Sequence, residues 1–203
     1  MTRHLDMGCG LNPQNPYKRD QLFGLDIRDD SQDILAQRGV TMKKGNLIFE
    51  PIPFEDNYFD SITAIDFLEH IPRQIGIGSG EVRYPFIQLM NEIWRVLAPG
   101  GRLLAVTPAY PSPLVFADPT HVNFIAEGTH RYFCGEAPVG SIYGFHGRFK
   151  AHIAKLSAPT NYRSMPPSPW KSAVRDMGRR VTGKGLHHMI WELEAVKSSN
   201  VDR

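Results

Sequence analysis

The stretch Leu5-Asp6-Met7-Gly8-Cys9-Gly10 sets two glycines immediately after a short apolar run. Glycine has no Cβ, so the backbone can turn sharply there and can approach a ligand closely. Open α/β sheets bind ligands at the carboxyl ends of their strands, where such a turn would lie. The stretch therefore predicts a β-strand followed by a ligand-binding turn, although a Gly-X-Gly turn taken alone also matches many structural turns.

Short apolar runs typical of strands alternate with helical patterns along the chain, which predicts an α/β fold. The expected architecture is a seven-stranded, mostly parallel sheet with an antiparallel last strand and helices on both faces. The strands are predicted near His4–Met7, Gln21–Ile27, Thr41–Lys44, Phe59–Ile65, Arg102–Thr107, Phe149–Ser157 and Met189–Lys197.

Two helices are predicted from the spacing of apolar residues. In Pro85–Leu97 the apolar residues recur every three or four positions, so they line one helix face. A shorter helix is expected over Ser31–Arg38, closed by Gly39. In contrast, the prolines and asparagines of Leu11–Asp20 predict a loop or a single turn.

The composition is that of a globular protein. The 203 residues predict one domain, 1–203, and 41% hydrophobic with 22% charged residues argues against a disordered chain. A formal net charge of +2 gives no indication of a nucleic-acid partner. With two cysteines, no apolar signal-like region at the start and no apolar run near the ~20 residues of a membrane span, we expect a cytoplasmic protein.

One segment differs in composition from the rest. Residues 158–188 are rich in proline, glycine and basic residues, and we interpret them as an insertion between the last two strands. Within it, Lys171, Arg175 and Arg179 share one face of an amphipathic helical pattern. This face could contact an anionic surface, although a lid helix with a solvated charged face is the simpler interpretation.

Asp26 ends the second predicted strand, 20 residues after Asp6. A carboxylate at this place can accept hydrogen bonds from both ribose hydroxyls, as in dinucleotide sites. The dinucleotide fingerprint fails, however, because Pro13 replaces its third glycine and offers no backbone N–H to a pyrophosphate. A nicotinamide dinucleotide is therefore disfavoured.

Four motifs occur in order over residues 4–108: LDMGCG (Leu5–Gly10), GLDIR (Gly24–Arg28), GNLIFEPIPFEDNYFDSITAIDFLEHI (Gly45–Ile71) and NEIWRVLAPGGRLLAVTP (Asn91–Pro108). Together they resemble the class I S-adenosylmethionine-dependent methyltransferases, particularly the broad group that shares an LEH-type motif. The resemblance implies a Rossmann-like fold and S-adenosyl-L-methionine as cofactor. This sequence departs from the family pattern in the loop after the glycine turn, where the family usually has a full helix.

The resemblance also implies roles for particular positions. The glycine turn would lie against the methionine part of the cofactor, Asp26 would bind the ribose, and Asn46 would contact the adenine amino group. Asn46 is nearly as easily explained as a plain turn residue, and Cys9 as a small filler. The implied cofactor-binding residues are Asp6, Gly8, Cys9, Gly10, Asp26, Ile27, Asn46, Leu47, Asp66 and Phe67.

Candidate acceptor-side residues follow the fourth and fifth strands. In Asp118-Pro-Thr-His121 an acid could orient an imidazole three residues later, or Asp118 could merely cap a turn. His70 follows the fourth strand and could line the same cleft. No metal site is predicted, because Asp118/His121 and His187-His188 form no convincing ligand pattern.

These observations predict a methyltransferase that acts on a small-molecule or glycan-type acceptor by O- or N-methylation, with a homodimer as one possible assembly. A hydroxyl acceptor would require a base such as His121 or His70. The alternative is a non-catalytic protein that keeps the methyltransferase-like fold as a binding or scaffold module.

Overall fold

The computed structural model describes residues 1–28, 32–78, 80–158 and 186–197. In these ranges the chain forms nine strands and two α-helices. The strands are β1 (Arg3–Met7), β2 (Gln21–Asp26), β3 (Val40–Lys44), β4 (Phe59–Ile65), β5 (Ile75–Gly76), β6 (Val82–Arg83), β7 (Leu97–Pro108), β8 (Phe149–Ser157) and β9 (His188–Ala195), and the helices are α1 (Gln32–Gln37) and α2 (Pro85–Val96).

Seven strands form one sheet in the order β3-β2-β1-β4-β7-β9-β8. The strands β3, β2, β1, β4 and β7 are mutually parallel, and β9 is antiparallel to both of its neighbours, β7 and β8. The predicted fold is therefore confirmed, including the antiparallel last strand. Because the chain order reverses at β1 and β4, the carboxyl ends of β1, β2 and β4 adjoin one another at one edge of the sheet, where parallel sheets bind ligands.

Helix α2 packs its predicted apolar face against the sheet. Its first residue is Pro85, whose fixed φ suits a helix start, and Leu89, Met90 and Ile93 on the inner face are all buried. Burial of each such side chain stabilises the fold by about 1.5–3 kcal/mol. The helix therefore fixes β4 and β7, between which it crosses.

The start of β7 differs from the sequence prediction. The strand was expected at Arg102, after the Pro99-Gly100-Gly101 turn, but pairing begins at Leu97, opposite Phe59. The register shifts between Phe59 and Ser61, and this irregularity accommodates the Pro-Gly-Gly turn within the strand pair.

The loop predicted between β1 and β2 is confirmed. The Asn15 side chain closes a turn over residues 15–19. Its amide N–H donates to the Arg19 carbonyl, and its Oδ1 accepts the Arg19 N–H. The Tyr17 hydroxyl then donates to Glu192 Oε1 on β9 at 2.9 Å. A fixed loop thus takes the place of a helix beside the glycine turn.

The insertion predicted over 158–188 falls almost entirely on residues 159–185, which lie outside the described residues, and so do Lys171, Arg175 and Arg179. The flanking strands β8 and β9 are present as expected. Within the described part of the chain, no helix has the length and apolar character required to span a bilayer.

Candidate active site

The glycine turn after β1 requires glycine at two positions. Gly8 and Gly10 have φ values of +67° and +51°, which L side chains rarely adopt. A Cβ on Gly8 would lie 2.6 Å from Cδ2 of Phe67, which follows β4. The turn and the end of β4 are therefore in direct contact, and no larger residue fits between them.

Asp26, the last residue of β2, is held against this turn. Its Oδ2 accepts the Gly10 N–H at 2.9 Å, and its Oδ1 accepts the Arg28 N–H at 3.0 Å. The residue is 8% exposed, so its carboxylate is almost enclosed yet still reaches a surface. These contacts fix the orientation of the one carboxylate that the sequence associates with a ribose.

A cavity of about 300 Å³ opens between the ends of β1, β2 and β4. It brings together Gly8, Asp26, Ile27, Asn46, Leu47, Asp66 and Phe67, which are seven of the ten predicted cofactor-binding positions. Leu25, Gly45, His70 and Ile71 complete its lining. Residues from three separate motifs of the sequence thus form one cleft.

Asn46 combines the two interpretations that its sequence context left open. Its Oδ1 accepts the Ile48 N–H at 3.2 Å, so the side chain closes a turn. The residue also lines the cavity next to the buried Leu47. The turn places Asn46 at the cavity, and its contact with adenine stays a prediction.

Asp6, Cys9 and Gly10 are the three predicted cofactor positions that are not part of the cavity lining. Gly10 acts on the cavity through Asp26, because the Gly10 N–H donates to the Asp26 carboxylate. The Cys9 thiol packs 3.6 Å from the Met42 sulfur, and burial raises its pKa to about 12, which agrees with the role of a small filler. Asp6 is buried beneath the turn.

The Asp6 carboxylate ends a buried chain of hydrogen bonds. Its Oδ1 accepts from the Thr63 hydroxyl, and Thr63 Oγ1 lies 2.9 Å from His4 Nε2. His4 Nδ1 lies 2.8 Å from the Ser61 hydroxyl, which accepts from Arg19 Nε. Because the Thr63 proton is directed to Asp6, the chain is consistent with a neutral His4 protonated on Nε2.

Burial shifts the pKa of two titratable groups in this chain, His4 and Asp6. It lowers the pKa of His4 from 6.5 to about 3. It raises the pKa of Asp6 from 3.8 to about 7, although the hydrogen bonds from Thr63 and Gln14 act in the opposite direction. The glycine turn therefore rests on a polar core that prefers to be uncharged.

A second cavity, of about 550 Å³, adjoins the first. Asp66 and His70 line both cavities. The second cavity also contains His121 and Asp118, so the three residues proposed from sequence as catalytic lie around one space. Its full lining is Asp66, Glu69, His70, Pro108, Leu114, Ala117, Asp118, Pro119, His121 and His188.

The direct Asp118–His121 pairing suggested by the spacing is wrong. Asp118 Oδ1 accepts from both the backbone N–H and the hydroxyl of Thr120, and these bonds lower the pKa of Asp118. Thr120 Oγ1 in turn lies 3.0 Å from His70 Nδ1. The acid caps a turn, as the alternative interpretation had it, and through Thr120 it orients His70.

Glu69 and His188 are residues of this cavity that the sequence reasoning did not assign. Glu69 is only 1% exposed and accepts a 2.8 Å hydrogen bond from Thr107. Burial raises the pKa of Glu69 to about 7. His188 begins β9, with its Nε2 3.6 Å from Asp66 Oδ1. Glu69 could have been found from the sequence, because it is the middle residue of the LEH motif. His188 could not, because only the fold places the start of β9 beside this cavity.

Comparisons with known proteins agree with this geometry. Residues 5–105 match the model of a methyltransferase domain. A search among curated proteins gives no significant match. Among solved structures, a methyltransferase from Archaeoglobus fulgidus that depends on S-adenosylmethionine is 16% identical over 97% of this chain and 86% of its own, with a TM-score of 0.56.

Two further structures have the same fold. A putative sarcosine dimethylglycine methyltransferase from Galdieria sulphuraria is 16% identical, with a TM-score of 0.57 over 98% of this chain and 79% of its own. The [4+2]-cyclase SpnF is 19% identical, with a TM-score of 0.58 over 97% of this chain and 75% of its own. Identities this low establish the fold and leave the substrate open.

The domain match and the shared fold identify this chain as a class I S-adenosylmethionine-dependent methyltransferase. Its cofactor is S-adenosylmethionine. The cleft can hold such a molecule, because Gly8 lines it at the end of β1 and Asp26 offers an anchored carboxylate beside it.

Proposed function

We propose that this enzyme moves a methyl group from S-adenosylmethionine to an oxygen or nitrogen of a small-molecule or glycan-type acceptor. Asp26 would bind the ribose, Gly8 and Gly10 the methionine part, and Asn46 and Leu47 the adenine. Asp66 and Phe67 would line the methionine end of the cleft, and the smaller group with an LEH-type motif is the part of the family to which we assign the chain.

The adjoining cavities carry this proposal. Bound S-adenosylmethionine supplies an activated methyl group, and the protein must align the acceptor with it and limit the access of water. Asp66 and His70 form a wall common to the cofactor cleft and to the larger cavity. The larger cavity is therefore the acceptor site in this proposal, and the acidic and histidine side chains in its lining favour a polar acceptor.

His121 and His70 are the proposed proton acceptors for a hydroxyl substrate. The Val115 carbonyl lies 3.0 Å from His121 Nδ1, so that nitrogen donates and Nε2 keeps its lone pair. Asp118 acts as a positioning residue for His70 through Thr120. A base is needed because a hydroxyl acceptor has a high pKa.

Calorimetry with S-adenosylmethionine tests cofactor binding. We expect micromolar affinity in the wild-type protein and a loss of roughly tenfold or more in Asp26→Ala, since a hydrogen bond to a charged group contributes about 1.5–3 kcal/mol. Asp33→Ala, which removes an exposed carboxylate on α1, is the matched control and should bind normally. Equal affinities in all three proteins would contradict the proposed cleft.

A methyl-transfer screen then tests the acceptor. Wild-type protein is offered pools of sugars, small hydroxylated metabolites and amines, and methylated products are identified by mass spectrometry. Methyl transfer to a sugar or metabolite, at a lower rate in His121→Ala than in the wild type, supports the acceptor site. Transfer only to macromolecules would contradict the proposed substrate class.

The loop over residues 11–20 favours one alternative function. This loop replaces a helix beside the cofactor cleft, so the fold could serve as a non-catalytic binding or scaffold module. Cofactor binding without any transfer, or no binding at all, is the result that would support this second candidate.

The partner proposals rest on sequence alone. We propose a cytoplasmic protein that can contact an anionic surface through Lys171, Arg175 and Arg179 and that can form a homodimer. Vesicle binding should then weaken steeply with added salt, because exposed charges are screened. Sedimentation velocity measures the oligomeric state independently.

A further inference from the structure

Three potential metal ligands meet in the acceptor cavity. Glu69, His70 and His121 each offer one ligand atom, and these atoms all lie within 4.8 Å of one another. The sequence reasoning rejected a metal site on other combinations of residues, Asp118/His121 and His187-His188. The folded chain assembles a different set, from the turn after β4 and the loop after β7.

Both imidazoles are held in the tautomer that suits metal binding. His121 donates from Nδ1 to the Val115 carbonyl, which leaves Nε2 unprotonated. The Thr120 hydroxyl gives its proton to Asp118, so Thr120 Oγ1 accepts from His70 Nδ1 and His70 Nε2 is also unprotonated. A ligating histidine usually donates its other ring nitrogen in this way, because that bond fixes the ring orientation.

The Glu69 carboxylate has one unused oxygen. Oε2 accepts from Thr107, but Oε1 is buried and has no hydrogen-bond partner among the described residues. A buried carboxylate oxygen normally has a partner, since an unsatisfied one is energetically unfavourable. A cation bound between Glu69 and the two histidines would satisfy it.

The loop that carries His121 is fixed to the turn that carries Glu69. The Glu69 carbonyl accepts the N–H groups of Val122 and Asn123, both at 2.9 Å. The Asn123 side chain donates to the Leu68 carbonyl at 3.1 Å and accepts from Arg73 Nε at 2.9 Å. These bonds hold the ligands near one another without a metal, as a preorganised site requires.

We propose that Glu69, His70 and His121 bind a divalent first-row transition-metal ion in the acceptor cavity. Two imidazoles and one carboxylate suit zinc, manganese, iron or cobalt, whereas magnesium prefers oxygen ligands. Three protein ligands leave coordination positions open, and the cavity provides space for an acceptor oxygen there. The inference rests on the proposed acceptor site and gives the two histidines a ligand role in place of a base role.

Metal titration tests the site without any methyl transfer. The protein is stripped with a chelator, and Zn²⁺ and Mg²⁺ are titrated by calorimetry in the absence of S-adenosylmethionine. We expect one Zn²⁺ per chain and much weaker binding of Mg²⁺. Glu69→Gln and His121→Ala should each weaken Zn²⁺ binding at least about tenfold, the range seen when a metal site loses a supporting interaction.

A matched histidine provides the control. His130 lies outside both cavities, with its Nδ1 bonded to the Glu127 carbonyl, so His130→Ala should bind Zn²⁺ as the wild type does. Substitution of Co²⁺ should give visible absorption bands of an N,O-coordinated ion, and these should disappear in His121→Ala. Unchanged Zn²⁺ affinity in both cavity variants, or equal loss in His130→Ala, overturns the metal site. S-adenosylmethionine affinity measured on the same samples reports on the cofactor cleft separately.

Discussion

At the scale of single residues, the chain from Arg19 to Asp6 shows how polar groups can be buried under a ligand-binding turn. His4, Ser61 and Thr63 are completely buried, and Asp6 is 3% exposed. Each hydroxyl both donates and accepts, so no donor in this chain is left without an acceptor. Such a chain is favourable only while His4 and Asp6 keep the charge state that the buried interior favours.

The opposite pKa shifts of His4 and Asp6 predict the pH dependence of stability. His4 has a lowered pKa in the folded state, so its effect is destabilising as the pH falls from 6.5 towards 3. Asp6 has a raised pKa, so its effect is destabilising as the pH rises from 3.8 through 7. Between pH 4 and 6.5 the two effects oppose each other, and each amounts to a few kcal/mol at about 1.4 kcal/mol per pKa unit.

Urea unfolding of two variants separates these effects. In Asp6→Asn only the His4 effect remains, so the free energy of unfolding should fall more steeply than in the wild type as the pH is lowered from 6.5 to 4. In His4→Gln only the Asp6 effect remains, and the free energy should rise relative to the wild type over the same interval. If the unfolding free energies of both variants followed the same pH dependence as the wild type, the pKa values of His4 and Asp6 would not be shifted by folding.

The sequence predicted where Gly8 and Asp26 lie relative to the strands, but it did not predict which side chains bond to one another. Gly8 and Asp26 follow from the local rule that a turn and a carboxylate end adjacent strands. The partner of Asp118 did not follow, because spacing alone cannot decide between Thr120 and His121. Glu69 was quoted within a motif but given no role, since its unused oxygen appears only once the loop after β7 is in place.

At the scale of elements, α2 does more than cover the sheet. Arg95 in its last turn donates to the carbonyls of Ile52 and Phe54, both at 2.9 Å, and to Glu92 and Asp56. Glu92 also accepts the Ile52 N–H at 2.9 Å. The helix thereby holds the segment before β4, which connects the Asn46 turn to the sheet.

This arrangement predicts a specific requirement for arginine. Arg95→Ala should lower the free energy of unfolding by about 2 kcal/mol, because hydrogen bonds from a charged group to two carbonyls are lost. Arg95→Lys should recover only part of this, since an ammonium cannot reproduce the planar fork. The measurement is urea denaturation, with the exposed Gln88→Ala on the same helix as control, for which we expect a change within about 0.5 kcal/mol. If Arg95→Lys had the full stability of the wild type, the positive charge alone would explain the contribution of Arg95.

Elements were predictable in proportion to their length. Helix α2 spans twelve residues, enough for its apolar period to be visible. Strands β5 and β6 have two residues each and show no period, so no sequence pattern predicts them. The two strands lie between Pro72 and Phe86, and the Phe86 N–H donates to the Pro72 carbonyl at the start of α2, which brings the two ends of this segment together.

At the scale of the whole molecule, the last described strand is internal to the sheet. Strand β9 lies between β7 and β8, so among the described strands β8 is joined to the sheet through β9 alone. The carboxyl ends of the parallel strands border both cavities, and β9 contributes His188 to the larger cavity. We therefore expect both folding and completion of the larger cavity to depend on the return of β9 to the sheet.

A chain that ends at residue 185 should consequently lack a stable fold. Strand β9 buries Met189, Ile190, Trp191 and Leu193, each less than 2% exposed. At about 1.5–3 kcal/mol per side chain, their loss totals about 6–12 kcal/mol, comparable with the whole stability of a typical domain. We expect no cooperative thermal transition by circular dichroism in the truncated chain.

The control is Glu194→Gln on the same strand, which removes partly exposed ion pairs to Arg102 and His152 and should lower the unfolding free energy by no more than about 1 kcal/mol. A cooperative transition in the truncated chain would mean that the five parallel strands with α2 form a stable unit alone, and the antiparallel pair would then be an addition to a complete core.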